Sequence, residues 1–236
     1  MGYEKRYDGR KFDELRPMSA RIGVVPNSSG SAIFQMGKTV AIAAVYAPKL
    51  LFPQFLQDDE KGVLRCEYNL MSFSGSGERV RPGPSRRSKE ISMVTEKALL
   101  PVLNLKEYSN CAVDVYIELI QTDAGTRCAG ICAASLALAD AGIPMNDLIS
   151  AVAIGRIENK IALDVTKKEE DYENGMADIA IAYSLRLNKI TLLQSDGDLG
   201  RDELQDAIKL AKIGCEKIRD VQIKALKAKF EVIKDE

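Results

Sequence analysis

The sequence predicts an α+β fold of two related lobes, on three observations. Apolar residues alternate over short runs in both halves of the 236-residue chain, as half-buried strands require. Each half then passes from strand-like runs to segments with helical spacing, and the same order repeats. Apolar residues make up 46% of the chain, enough for a sizeable core without disulfides or a structural metal. The lobes are expected at 1–150 and 151–236, with no linker composition to mark the join.

The elements follow in order. Residues 20–47 read as strands and turns, with Pro26-Asn27-Ser28-Ser29-Gly30-Ser31 as a turn cluster. Ala32–Gly37 and Thr39–Val45 form a hairpin turned at Gly37-Lys38, and Val63–Met71 alternates as another strand. Residues 72–85, rich in Gly, Ser, Pro and Arg, predict a mobile loop. Ile91, Val94, Ala98, Leu99 and Val102 predict a helix over about 88–103. Cys111–Ile120 alternates as a strand. A small-residue helix over 127–141 stops at Gly142-Ile143-Pro144. In the second half, strands are expected at 151–157, 160–165, 177–186 and 189–194, turned at Glu158-Asn159 and Leu187-Asn188. A helix over 201–230 follows, carrying Leu204, Ile208, Ala211, Cys215, Ile218 and Val221 on one face.

Composition excludes several kinds of chemistry. Thirty-three basic and 34 acidic side chains nearly cancel, so polyanion binding must come from a local cluster. There is no histidine, which removes imidazole bases, His-activated nucleophiles and imidazole metal sites. Cys66, Cys111, Cys128, Cys132 and Cys215 include no C-x-x-C pair and read as reduced thiols of a cytosolic protein. The polar N-terminus lacks a signal-peptide core, and no apolar run is long enough to span a membrane. Arg6, where Ser or Thr would stand, argues against myristoylation.

Three stretches are candidates for chemistry. Thr122-Asp123-Ala124-Gly125-Thr126-Arg127 joins a strand to a helix. Gly125 permits close backbone approach, Thr126 is placed to cap the helix, and Arg127 adds a guanidinium to the helix's positive end, a combination suited to phosphate. The alternative is a plain turn with a surface arginine. Ser85-Arg86-Arg87 also opens a helix, where cations oppose the helix dipole. Either a bound anion or simple solvation accounts for the pair. The acidic run Glu169-Glu170-Asp171-Tyr172-Glu173, with Asp178 beyond it, is either a solvated loop between strands or a site in which Asp171 and Asp178 serve as general acid or Mg²⁺ ligands. There is no P-loop, no dinucleotide fingerprint and no G-x-S-x-G.

The order YDGRKFDELRP (7–17), GSAIFQMGKTVAIAAVYAP (30–48), PSRRSKEIS (84–92), QTDAGTRCAGICAASLALADAGIP (121–144), MADIAIA (176–182) and LLQSDGDL (192–199) resembles the RNase PH family over nearly the whole chain. Within it, the likeness is greatest to the branch that supplies catalytic subunits of archaeal exosomes. The resemblance implies the RNase PH fold, a pair of βα lobes with mixed sheets and packed helices. It also implies phosphorolysis, in which inorganic phosphate cleaves the last phosphodiester of an RNA 3′ end, releases a nucleoside diphosphate, and in reverse extends RNA. The implied partners are single-stranded RNA, a non-catalytic RNase-PH-like paralogue in an alternating hexameric ring, and RNA-binding cap subunits, in the cytoplasm. The implied cofactor is Mg²⁺ or Mn²⁺.

Residue by residue, the resemblance assigns Arg86 and Arg87 to the RNA backbone, and Gly125, Thr126 and Arg127 to the attacking phosphate. It assigns Asp178 to the metal and Asp171 to the general acid. Lys49 falls at an RNA-contacting position of the channel neck, with Arg65 and Arg81 adding to the basic path. The chain departs from the family in spacing Asp171 and Asp178 seven apart rather than six, with Tyr172 standing six before Asp178. Glu170 and Glu173 are the neighbouring alternatives. Two other readings stay open: a homohexameric RNase PH that trims tRNA 3′ ends, and a non-catalytic RNA-binding ring subunit.

Overall fold

A computed structural model describes residues 3–172 and 176–231, and its strands fall into two sheets. The first is mixed. It comprises β1 (Met18–Ile22), β2 (Gly30–Met36), β3 (Thr39–Leu50), β4 (Val63–Leu70) and β5 (Cys111–Gln121), in the order β1-β2-β3-β5-β4. The second is antiparallel. It comprises β6 (Ile149–Ile157), β7 (Lys160–Leu163), β8 (Met176–Ser184) and β9 (Lys189–Asp196), in the order β7-β6-β8-β9. The helices are α1 (Arg86–Leu99), α2 (Thr126–Asp140), the single-turn α3 (Lys167–Glu170) and α4 (Arg201–Glu231). The α+β class and the paired lobes expected from the sequence are what the structure has.

The hairpin of β2 and β3 turns at Gly37-Lys38, with Met36 opposite Thr39. Only the β4–β5 pair is parallel, and it needs the crossover that α1 supplies. Helix α1 starts two residues earlier than expected because Ser85 and Ser88 form a capping box. The Ser88 N–H donates to Ser85 Oγ at 3.0 Å and the Ser85 N–H to Ser88 Oγ at 2.7 Å. Arg86 and Arg87 therefore belong to its first turn. It also ends early, at Leu99, and a 3₁₀ turn carries the chain through Pro101.

Strands β7 and β8 are shorter than expected. Asp164 adopts a left-handed conformation (φ 55°) and leads the chain out of the sheet. What read as an acidic loop then begins as α3, because Glu169 turns back to accept from the Thr166 N–H (2.8 Å) and hydroxyl (3.1 Å).

Helix α2 packs against both sheets and buries eleven of its fifteen residues, mostly Ala, Cys, Leu and Ile. Such small side chains let the layers approach. A Cβ added at Gly130 would lie 3.2 Å from both Ile117 and the Tyr68 ring. Strand β6 is buried at eight of nine positions, packed against α2 and α4, so it reads as a continuous apolar run. The expected join at 150/151 falls inside it.

The segment before β1 crosses to the second lobe and is tied there by two buried ion pairs. Arg6 donates Nε and Nη2 to Glu169, each at 2.8 Å, and its remaining N–H groups to the Leu163 and Asp164 carbonyls. Arg16 donates its backbone N–H (2.8 Å), Nε (2.9 Å) and Nη2 (2.6 Å) to the Asp164 carboxylate. No helix among the described residues is long and apolar enough to cross a membrane. The five cysteines are free thiols, all buried except the half-buried Cys111.

Candidate functional site

The site begins where β5 reverses into α2. The turn uses two successive left-handed residues, Ala124 (φ 58°) and Gly125 (φ 61°). Glycine adopts this conformation without strain; alanine does not, so the turn must be held from outside. Thr39 does part of this. Its hydroxyl donates to the Ala124 carbonyl at 2.8 Å and accepts the Asp123 N–H at 2.9 Å. The Arg16 guanidinium also donates to the Asp123 carbonyl. Gly125, rather than Thr126, occupies the N-cap, and no side chain caps the helix. The capping role expected of Thr126 is thus corrected: it is the first helical residue. The Gly125 N–H meets the Glu170 carboxylate, and among the described residues no side chain caps the N–H groups that follow at the positive end of α2.

The N-terminus of α1 converges on the same place. A cleft of about 500 Å³ is lined by Arg87, Arg127, Lys167, Glu170, Tyr172 and Asp178. It continues past Arg86 and Asp196 on one side and past Thr126 and the Gly75–Gly77 loop on the other. Strand pairing sets Asp178 of β8 directly opposite Asp196 of β9. Asp178 Oδ1 is buried without a hydrogen-bond partner among the described residues. Burial, and then the neighbouring Asp196, raise the Asp178 pKa above the ordinary carboxylate value, although Arg127 and Arg87 pull the other way. Glu170 is raised too, first by burial and then by Asp178, against Lys167, the Gly125 amide and Arg87. Two carboxylates that destabilise each other beside an unsatisfied oxygen suit a hard divalent cation. Mg²⁺ is commonly held by one or two carboxylates, with waters and substrate phosphates completing its shell. No cluster of three or more Asp, Glu or Cys side chains forms a self-sufficient metal cage among the described residues.

Asp171 is placed differently. It follows α3, is mostly exposed, and pairs with Lys167 Nζ at 2.6 Å, while Glu170 faces the cleft. Glu173 lies outside the described residues. Lys49 sits at the far end of β3, 4.8 Å over the Tyr46 ring and opposite Ala112. At about 3.3 Å per residue, that is roughly 30 Å along β5 from the cleft. Arg65 pairs with Asp114 at 2.6 and 2.8 Å on the first sheet, away from the cleft. Arg81 is exposed in the segment before α1. The structure therefore gathers Arg86, Arg87, Gly125, Thr126, Arg127 and Asp178, and leaves Asp171, Lys49 and Arg65 outside the gathering.

Sequence reasoning missed Asp196 and Lys167 as cleft residues. Asp196 lay beyond the strand expected at 189–194, which the structure extends to Asp196. Counting outward from a two-residue turn at Leu187-Asn188 pairs Asp178 with Gly197. The turn instead spans four residues, 185–188, and closes on Ser184 and Lys189, a register that would set Asp178 opposite Ser195; a shift between Ala182 and Tyr183 then moves the pairing by one, onto Asp196.

Comparison with known proteins agrees with this architecture. Models of the 3′ exoribonuclease family match the chain over residues 14–144 (domain 1) and 147–214 (domain 2). The chain belongs to the RNase PH family of 3′ exoribonucleases. Among RNase PH relatives, it is 50% identical over 232 residues to the exosome complex component Rrp41 of Pyrococcus abyssi, covering 98% of this chain and 92% of that one. It is 47% identical over 225 residues to the Rrp41 of Methanopyrus kandleri, covering 95% and 93%. The crystal structure of rice (Oryza sativa) Rrp46 superposes with a TM-score of 0.82 at 24% identity, covering 94% of this chain and 100% of that one, a likeness of fold.

Proposed function

We propose that the chain is the catalytic subunit of an exosome-type assembly, a phosphate-dependent 3′-to-5′ exoribonuclease. One observation carries the reading. Arg87 and Arg127 line one cleft with a helix N-terminus and the partnerless carboxylate oxygen of Asp178, and no ion pair among the described residues neutralises either arginine. Inorganic phosphate takes the α2 N-terminus, with Thr126 supplying a backbone donor, Arg127 a guanidinium, and Gly125 a second backbone donor as phosphate displaces the Glu170 carboxylate from its N–H. Arg86 and Arg87 take the RNA backbone near its 3′ end, with Lys49, Arg65 and Arg81 on its approach. Asp178, beside Asp196, would hold Mg²⁺ or Mn²⁺, which when bound offsets phosphate charge.

A phosphate oxygen attacks the terminal phosphorus, the P–O3′ bond breaks, and the electron pair leaves with the 3′ oxygen. That oxygen takes a proton to become the new 3′ hydroxyl, and a nucleoside diphosphate departs. The reverse reaction extends RNA from nucleoside diphosphates. The reading keeps Asp171 as the proton donor. The assembly is an alternating hexameric ring with a non-catalytic RNase-PH-like paralogue under RNA-binding cap subunits, in the cytoplasm, in keeping with the exosome naming of the relatives.

The test uses 5′-labelled single-stranded RNA, with and without inorganic phosphate, on the chain alone and with its paralogue. Shortening only with phosphate and paralogue, with nucleoside diphosphates as product, is the expected result. Activity of the chain alone would favour the homohexameric enzyme, and no phosphate-dependent product under either condition would favour a bracing subunit. Asp171→Asn should lower kcat about 10²-fold or more and Glu170→Gln less. The reverse ranking would move the acid role to Glu170.

A further inference from the structure

We propose that Arg16 is a positioning residue for the phosphate turn. It holds Ala124–Gly125, and with them the α2 N-terminus and Arg127, in the shape that admits inorganic phosphate. The inference rests on reading that helix end as the phosphate site.

The need for such a residue comes from the turn itself, since Ala124 is buried in a left-handed conformation that alanine avoids. Thr39 clamps it from one side and Arg16 from the other. Arg16 is only 5% exposed, and three hydrogen bonds to Asp164 fix it on the second lobe. A seam between lobes requires no more than those three bonds. The remaining nitrogen, Nη1, goes instead to the Asp123 carbonyl, with the Asp123 carboxylate 3.6 Å away. Nη2 also lies 3.5 Å from where a Gly125 Cβ would stand. The Asp123 carboxylate in turn accepts the Lys167 N–H at 3.1 Å, at the start of the helix that carries Lys167 and Glu170 into the cleft. One guanidinium therefore sets the spacing between the phosphate-binding wall of the first lobe and the acidic wall of the second. Lysine cannot reproduce this, because it has no planar fork to span Asp164 and a carbonyl at once.

Three variants of the full chain, each assembled with its ring partner, test the proposal against wild type. Arg16→Lys keeps the charge beside Asp164 and loses the fork. Thr39→Val loosens the same turn without touching any ion pair. Asp147→Asn disturbs a buried polar cluster with Ser184, Arg186 and Arg219 elsewhere in the molecule. The readouts are equilibrium binding of labelled inorganic phosphate, KM for phosphate, KM for RNA, and Tm. Arg16→Lys should raise the phosphate Kd and KM about tenfold, with RNA KM and kcat at saturating phosphate changed less than about twofold. Thr39→Val should move the phosphate constants in the same direction, and Asp147→Asn should lower Tm without moving them. Unchanged phosphate binding in both turn variants would overturn the proposal while leaving the phosphate site intact. So would an equal shift in phosphate and RNA constants, or an equal effect of Asp147→Asn. A wild-type assembly that binds no phosphate would overturn the site reading and this inference together.

Discussion

Two groups of arginines in this molecule share a chemistry and differ in everything around it. At the seam between the lobes, Arg6 and Arg16 are buried, and each has a buried carboxylate, Glu169 or Asp164, on which its donors converge. At the cleft, Arg86, Arg87 and Arg127 make no ion pair among the described residues, and the carboxyls near them are pushed toward their neutral forms by burial. A chain of net charge −1 can thus present a local cationic site, because carboxylates at the seam consume other cations. Pairing, rather than residue type or composition, separates the structural arginines from those left available to an anion.

The largest effects should follow from trading one group for the other. Reversing charge at the cleft, by Arg87→Glu or Arg127→Glu, should lower kcat/KM for phosphorolysis by about 10³-fold or more, with Tm nearly unchanged, since no intramolecular pair is broken. Arg6→Gln should do the opposite. It leaves Glu169 buried and unpaired, so stability should fall by about 3–5 kcal/mol in urea unfolding, while the folded fraction keeps its phosphate KM. The contrast fails if the cleft variants unfold or if Arg6→Gln leaves stability alone.

Acid titration sharpens the same contrast. Although burial opposes it, hydrogen bonds from Arg6, the Thr166 N–H and Tyr3 hold the Glu169 pKa down to about 2. A depressed carboxylate contributes stability that is fully present above its unfolded value near 4.5 and is lost as pH falls toward 2. That contribution is about 3 kcal/mol. Urea midpoints taken from pH 7 down to pH 3 should fall more steeply in the wild type than in Arg6→Gln, where the depression is gone. Parallel curves would mean that Glu169 owes its ionisation to the Thr166 cap instead.

Local patterns made most of the fold legible, and long-range pairing hid most of the rest. Alternation in Ala32–Gly37 and the helical spacing of Ile91 to Val102 need only neighbours in sequence to be read. The Ser85–Ser88 box was also local, and attending to it would have started α1 at Arg86. By contrast, Arg6 meets Glu169 across 163 positions, and nothing in YEKRYDG indicates which carboxylate will bury it. Helix α3 was hidden because KKEE has no apolar face; it is set by a four-residue capping box beneath an acidic composition that otherwise signals a loop. Gly125, Arg127 and Asp178 were identifiable because each sits at an element boundary or in a quoted motif. Asp196 needed the bulge in the β8–β9 hairpin, which sequence does not reveal.

The smallest expected effect concerns the side chain that belongs to neither group. Arg65 is paired bidentately with Asp114, as at the seam, yet its side chain is 46% exposed, as at the cleft. Asp114 is buried and would lose this bidentate partner, whereas solvent reaches the Arg65 side, so Arg65→Gln should cost about 1–3 kcal/mol of stability, less than Arg6→Gln. If the pair also turns toward RNA on its approach, the salt dependence of RNA binding should weaken by about one phosphate contact. Lys49→Ala should give the same change in slope with little loss of stability, because the Lys49 ammonium rests on the Tyr46 ring and joins no ion pair among the described residues. Both effects should show with long RNAs and vanish with short ones, since Lys49 lies roughly 30 Å along the strand from the cleft. An Arg65→Gln variant with an unaltered salt slope would place Arg65 with the seam, leaving Lys49 and Arg81 to guide RNA toward Arg86 and Arg87.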